Sequence, residues 1–197
     1  MKKYLLLVLI AFNHTILHAQ KTYSDSLKDF QDNYVKTHGA VKQAERSDIH
    51  FFPIDKQYCV TARFEKIEEA PWFKMETSGK EKQIHRVYGI LHFKLRDTTL
   101  KLEVYQSQKL MGTKEYADLL FVPFTDLTNG EESYENGRYI DLTLDDVKTG
   151  YYLLDFNKAY NPYCAYISNT YNCPIPPKAN NLTVAVRAGE MKFAKGH

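Results

Sequence analysis

The segment from Ile84 to Gln106 constrains this chain more than any other. Ile84 to Leu95 is a long β-rich run, and Thr99 to Gln106 alternates with Leu100, Leu102 and Val104 on one side and Lys101 and Glu103 on the other. Side chains of a strand alternate between faces, so this pattern predicts a strand with one apolar and one polar face. Arg96-Asp97-Thr98 supplies the turn, and the two runs are predicted to form a hairpin.

The flanking sequence continues in the same chemistry. Tyr58 to Ile67 alternates in part, Lys74 to Thr77 is a short candidate strand, and Leu119 to Phe124 is a continuous apolar run of the kind buried on both faces. Asn129-Gly130 and Asn136-Gly137 are turn signals, because both residue types tolerate left-handed backbone. Arg138 to Leu144, Gly150 to Phe156 and Leu182 to Ala188 are further predicted strands. One good helix is predicted over Ser24 to Val35, where Leu27, Phe30 and Tyr34 share a face, Ser24 or Asp25 caps the start and His38-Gly39 ends it. Ala40 to Asp48 is charged and predicted irregular, with room for a short helical turn. The expected fold is mainly β: a single-domain antiparallel β-sandwich or flattened barrel with one N-terminal amphipathic helix.

Residues 1–19 are read as a signal peptide. Lys2 and Lys3 precede an apolar run from Tyr4 to Phe12, and Leu17-His18-Ala19 offers a small residue before Gln20. Asn13 and His14 interrupt the run, which falls short of the roughly 20 apolar residues a spanning helix needs. No cysteine follows the cleavage region, which argues against a lipoprotein anchor. Residues 20–197 are then expected to form one exported β-rich domain, periplasmic or extracellular, without stable membrane insertion once the leader is removed.

The leader also accounts for the charge. The chain has 26 Lys and Arg against 24 Asp and Glu, and two of the lysines lie in the leader, so 24 stand against 24 beyond it. No basic stripe follows, and nucleic acid is not expected as a partner. Internal repeats, low-complexity tracts, a P-loop, a dinucleotide glycine motif, H-E-x-x-H and G-x-S-x-G are all absent.

The densest stretch is DFNKAYNPYCAYISNTYNCPIPP, Asp155 to Pro177. Asp155 and Asn157 lie two apart at a strand end and so share a face; they read either as a general base with an orienting amide or as caps for an irregular loop. Asn161 carries the same ambiguity. Cys164 and Cys173 suit a disulfide, worth roughly 2–3 kcal/mol by loop entropy. The alternatives are buried reduced thiols, a metal ligand pair, or a nucleophile served by His85 or His92. Cys59 reads as a buried thiol.

Arg138 reads as a clamp for a carboxylate or phosphate, or as one half of a buried ion pair with Asp126, Asp155 or Glu190. Tyr134, Tyr139 and Tyr160 suit either a sugar-stacking platform or core packing. Asp126 to Glu132 lacks the alternating ligands of a calcium loop, and no metal or cofactor is expected.

Three ordered stretches resemble a known family. LFVPFTDLTNGEESYENGRYIDL, LLDFNKAYNPYCAY and CPIPPKANNL followed by AGE are similar to the bacterial family called domain of unknown function 1684, whose core corresponds to about residues 119–190. The family pattern runs F-x-D-x-T-x-G-x-x-(S/T)-Y-x-x-G-R-(F/Y), D-F-N-x-A-(Y/F)-N-P-x-C-A, C-P-x-P-P-x-x-N-x-L and A-G-E. This chain is similar to the short, exported form of a family that also has longer members. Asn181, directly before Leu182, is read as the asparagine of the third stretch, and no acidic residue stands before it.

The residues nominated for a pocket are Asp126, Tyr134, Arg138, Asp155, Asn157, Tyr160, Asn161, Asn181 and Glu190. The expected function is small-molecule or glycan binding in the cell envelope. A hydrolase using two of Asp126, Asp155 and Glu190, and a structural protein in which these residues only brace loops, are the alternatives.

Overall fold

The computed structural model describes residues 21–194, so the leader lies outside the described residues. The first element is a helix, α1, Tyr23–Thr37. Its N-cap is Thr22, not Ser24 or Asp25: the Thr22 hydroxyl accepts from the Asp25 N–H while the Asp25 carboxylate accepts from Thr22 N–H, a reciprocal capping box. A 3₁₀ turn over Gln43–Asp48 occupies the stretch expected to be irregular.

Seven antiparallel strands follow: β1 Cys59–Lys66, β2 Phe73–Met75, β3 Gln83–Leu95, β4 Thr98–Ser107, β5 Leu119–Phe124, β6 Arg138–Thr143 and β7 Tyr151–Asp155. They make one sheet in the order β6-β5-β4-β3-β1-β7, with β2 added against β3. The fold is therefore mainly β and antiparallel, as expected, and takes the form of one sheet curled into a half-barrel. No helix among the described residues is long and apolar enough to cross a membrane.

The predicted hairpin is the longest ladder, from His85↔Ser107 to Leu95↔Thr98. Arg96 takes φ 52 in its two-residue turn, the left-handed backbone such tight hairpins require. Leu102 and Val104 are fully buried, in the main core with Leu91, Phe93, Leu120, Phe124 and Phe156. Pro123 sits inside β5 without breaking it. Its register partner Tyr139 turns its N–H and C=O away from β5, to the backbone of Tyr160.

One predicted strand does not form. Leu182 to Ala188 is extended, with Leu182, Val186 and Ala188 buried, but it joins no ladder. The alternation is that of an extended chain pressed into the core. Two of its carbonyls, Val186 and Ala188, are taken by the Arg138 guanidinium instead of a neighbouring strand.

The sheet does not close. β6 and β7 are consecutive in sequence yet form its two edges. The antiparallel bridge between Tyr139 and Tyr160 spans the gap at one end, and the Tyr152 hydroxyl reaches the Asp141 carbonyl at 3.5 Å across it.

Candidate functional site

The nominated residues separate into three groups. The first is a polar knot beneath the chain's C-terminal segment. Arg138, the first residue of β6, is fully buried between the rings of Phe52 and Phe124. Its Nη2 donates to Asp126 Oδ2 at 2.7 Å and to the Val186 carbonyl at 2.8 Å, and its Nη1 donates to the carbonyls of Ala188 and Glu190 at 2.6 and 3.1 Å. Asp126 Oδ1 accepts from Thr128 N–H, the Thr128 hydroxyl and Val186 N–H. The clamp reading of Arg138 is corrected: the guanidinium holds its own chain, and of the two sequence readings the buried ion pair with Asp126 is the one found.

The second group surrounds Glu190. Its carboxylate accepts from Tyr34 Oη at 3.1 Å, from Tyr166 Oη and from Asn161 N–H at 2.8 Å. Burial pushes the carboxyl up to about 7, against the pull of those hydrogen bonds. Asn161 also donates to the Met191 carbonyl. Gly189 precedes Glu190 at φ 78, and a Cβ there would lie 2.6 Å from the carbonyls of both Phe156 and Ala159, so this turn requires glycine. Tyr134 is buried in a small satellite core with Tyr166 and Phe193 and does not line the groove described below.

Two asparagines complete the bracing. Asn157 donates to the Asp55 carbonyl and accepts from Asp55 N–H, which ties the end of β7 to the entry of β1. Asn181 is exposed and accepts from the Thr125 hydroxyl. The bracing asparagine of its motif is its neighbour Asn180, which is fully buried and bonds Glu103 N–H, the Glu103 carbonyl and the Pro123 carbonyl. The assignment to Asn181 is corrected on that ground. The N-x-L spacing of the motif fits Asn180 and could have shown it.

The third group faces a groove of about 1050 Å³ between the two sheet edges, α1 and the loop after β7. Of the nominated residues only Asp155 and Tyr160 line it. The carboxylates nominated as a hydrolytic pair therefore do not converge: Asp126 and Glu190 are consumed in the first two groups. Cys164 and Cys173 form a disulfide with Cα atoms 6.2 Å apart, and Cys59 is free and half-buried. The bridged loop supplies Tyr171 and Asn172 to one wall, and the residues flanking it add Tyr163 and Pro174.

Most of the groove escaped the sequence analysis. Phe30 and Tyr34 come from α1, Asp141 from β6, Tyr152 and Leu153 from β7, and Asp146 from the connection between those strands, while Tyr139 of β6, one of the three tyrosines considered for stacking, lines it with Tyr160. Asp141 Oδ1 accepts from Tyr160 Oη at 2.8 Å. Asp141 is solvent-accessible at the mouth yet crowded by the concave wall, and this partial desolvation pushes its carboxyl up to about 6, opposed by the Tyr160 hydrogen bond. Tyr152 stands among three carboxylates: Asp146, Asp141 and Asp155 all raise its hydroxyl further above a level already lifted by burial. Asp155 accepts from Tyr23 Oη and from Asn157, and Asp146 from Thr143.

The chain is similar to a solved structure. The solution NMR structure of an uncharacterized protein of Haloarcula marismortui is 31% identical, with a TM-score of 0.66 over 87% of this chain and 95% of that one. No curated protein matches the chain. Residues 45–191, which span every strand and both corrected motifs, match the family described as "Protein of unknown function (DUF1684)", and this chain belongs to that family.

Proposed function

We propose that this chain is an exported domain of the cell envelope that binds a small molecule or glycan in the groove between the edges of its half-barrel. One observation carries the reading. Phe30, Leu153, Tyr163 and Tyr171 are large apolar side chains left exposed, and all four open onto the same concave site. Burying them against a ligand would recover roughly 25 cal/mol for each Å² of apolar surface covered, and tyrosine offers a ring to stack and a hydroxyl to orient. The groove is also of the size range in which small-ligand sites fall.

The Cys164–Cys173 disulfide supports export, since such bonds persist in oxidising compartments. Intact-mass measurement of exported protein should give a chain beginning near Gln20; a retained leader would end that half of the proposal. The binding half is tested by a thermal-shift screen of envelope glycans and small acids against the wild type and Leu153→Arg. The expected result is a stabilising hit that disappears in the variant. Hits that survive Leu153→Arg unchanged place binding elsewhere.

Asp141 favours a second reading. A carboxyl held near 6 beside other carboxylates is suited to proton transfer at neutral pH. If the domain is a hydrolase, Asp141→Asn should abolish turnover of a glycoside while the glycoside still binds.

A further inference from the structure

The groove has a sign as well as a shape. Its charged side chains are Asp141, Asp146 and Asp155 against the single Lys158. Lys158 already has a neighbour, with its ammonium 5.7 Å from the centre of the Phe30 ring on α1. All three carboxylates act on one point, the Tyr152 hydroxyl: Asp141 from β6, Asp155 from β7 and Asp146 from the connection between them. They are not equally engaged. Asp155 accepts from Tyr23, the Asn157 backbone and the Asn157 side chain, and Asp146 from the Thr143 backbone and hydroxyl. Asp141 has one side-chain donor, Tyr160 Oη, and that donor engages Oδ1. Its Oδ2 accepts no hydrogen bond among the described residues, and the residue is exposed.

The walls around these carboxylates are aromatic. Tyr160 is flanked by Tyr139 with ring centres 5.9 Å apart and by Tyr34 at 6.0 Å, and Tyr163 packs edge-on against Tyr171 at 5.2 Å. Ring faces carry negative electrostatic potential and attract cations, most strongly where water is partly excluded. Aromatic faces with carboxylates among them discriminate by charge: they favour a cation, accept a neutral group and repel an anion. Among the described residues no group of three or more His, Cys, Asp or Glu side chains is placed to hold a metal ion. That leaves an organic cation as the better fit.

We infer that the groove is selective for a ligand bearing an ammonium group, seated against the tyrosine walls with Asp141 as its counter-ion. The inference rests on the groove being the binding site, and it narrows that reading to amine-bearing small molecules or sugars. It adds a pH dependence of definite sign. The groups at Asp141 are Tyr160, whose hydroxyl bonds it, Tyr139 beside it on β6, and Tyr152 from β7, on whose hydroxyl Asp146 and Asp155 also act. The tyrosines are held neutral by burial; Glu190, raised to about 7 behind Tyr34, titrates in the same window as Asp141, and Asp141→Asn separates the two. A bound cation favours the ionised form of Asp141, so affinity should rise as pH passes upward through about 6.

Three probes of one shape separate charge from packing: choline, its neutral carbon isostere 3,3-dimethylbutan-1-ol, and the anion 3,3-dimethylbutanoate. Their binding is measured by NMR titration at pH 8 and pH 5, on the wild type and Asp141→Asn. At pH 8 choline should bind roughly tenfold tighter than the neutral isostere, with the anion weakest. The choline advantage should shrink severalfold at pH 5, and Asp141→Asn should show the smaller advantage at both pH values. A neutral isostere that binds as tightly as choline, with groove tyrosine signals shifting, overturns the cation inference and leaves the groove reading standing. A choline advantage unchanged by both pH and Asp141→Asn overturns the role of Asp141. If no probe binds, the cation inference fails, and the glycan screen with Leu153→Arg decides the groove reading separately.

Discussion

Arg138 and Asp141 stand three residues apart on β6 and live in opposite environments. An odd spacing on a strand puts two side chains on opposite faces. Arg138 turns inward with Ile140 and Leu142, and Asp141 turns outward. The inward residue is charged, fully buried and bonded to a carboxylate and three carbonyls; the outward one has a single side-chain donor and an open face. The inward residue belongs to the family pattern and the outward one does not. The comparison teaches that the pattern's polar residues mostly hold irregular chain in place. Asp126 and Arg138 secure residues 182–190, Asn157 secures the start of β1, Asn180 ties β4 to β5, and Glu190 anchors α1 through Tyr34. The ligand-facing surface is made mainly by residues beside them.

Substitution at Arg138 should have the largest effect. Arg138→Met leaves the Asp126 carboxylate buried without its counter-ion and frees three carbonyls, at a cost of about 3–5 kcal/mol. For a domain of ordinary stability this is a fall in melting temperature of roughly ten degrees or more. Asp141→Asn, three residues away, should cost no more than about 0.5 kcal/mol, and above about pH 6, where it removes a crowded ionised carboxylate, it acts in the stabilising direction. Similar losses at the two sites would break the comparison.

Glu190 gives the next largest effect, and its direction follows from linkage. Its folded-state carboxyl is raised to about 7 from an unfolded value near 4.3. The folded protein therefore holds a proton that the unfolded chain has released, and stability from this group is fully present at low pH and lost as pH rises through about 7. The contribution is on the order of 3 kcal/mol. Urea unfolding at pH 5 and pH 8 should show the wild type weaker at pH 8. Asp141 titrates in the same window, so the informative quantity is how much of that difference Glu190→Gln removes. If it removes none, Glu190 is not the titrating group.

These sites show what could be read from the chain alone. The β3–β4 hairpin was legible because a half-buried strand must alternate, and nothing else competes for those residues. The alternation at Leu182–Ala188 was equally clear and was misread, because burial of every second side chain records an extended backbone and does not reveal what its carbonyls bond. Arg138 was visible as important, with a pocket clamp and a buried ion pair as its two readings, and the sequence did not separate them, since nothing local in Gly-Arg-Tyr tells a pocket from a core. Asp141 was invisible for a simpler reason. In Arg-Tyr-Ile-Asp-Leu an outward aspartate is ordinary strand alternation, and its meaning comes from Tyr152 and Tyr160, placed beside it only when the curled sheet brings its edges together. The groove's walls likewise come from α1, both edge strands and the disulfide loop, so no window of sequence contains it.

The disulfide offers a smaller and more local test of the same division. Replacing Cys164 and Cys173 by Ser should cost roughly 2–3 kcal/mol. Because the bridged loop forms one wall of the groove, the pair of substitutions should also weaken ligand binding, whereas Glu190→Gln measured at pH 5 should not. Non-reducing peptide mapping of the wild type should find the Cys164 and Cys173 peptides linked and Cys59 free.

The central claim is that the bracing cluster and the binding surface are different places. It is tested most directly by a two-dimensional amide NMR titration with the tightest binder from the glycan and small-acid screen. The expected result is shifts centred on Asp141, Tyr152, Leu153 and Tyr160, with Thr128, Val186 and Ala188 around Arg138 unmoved at saturation. Shifts centred on Thr128, Val186 and Ala188, with the groove amides silent, would contradict it and return Arg138 to the ligand.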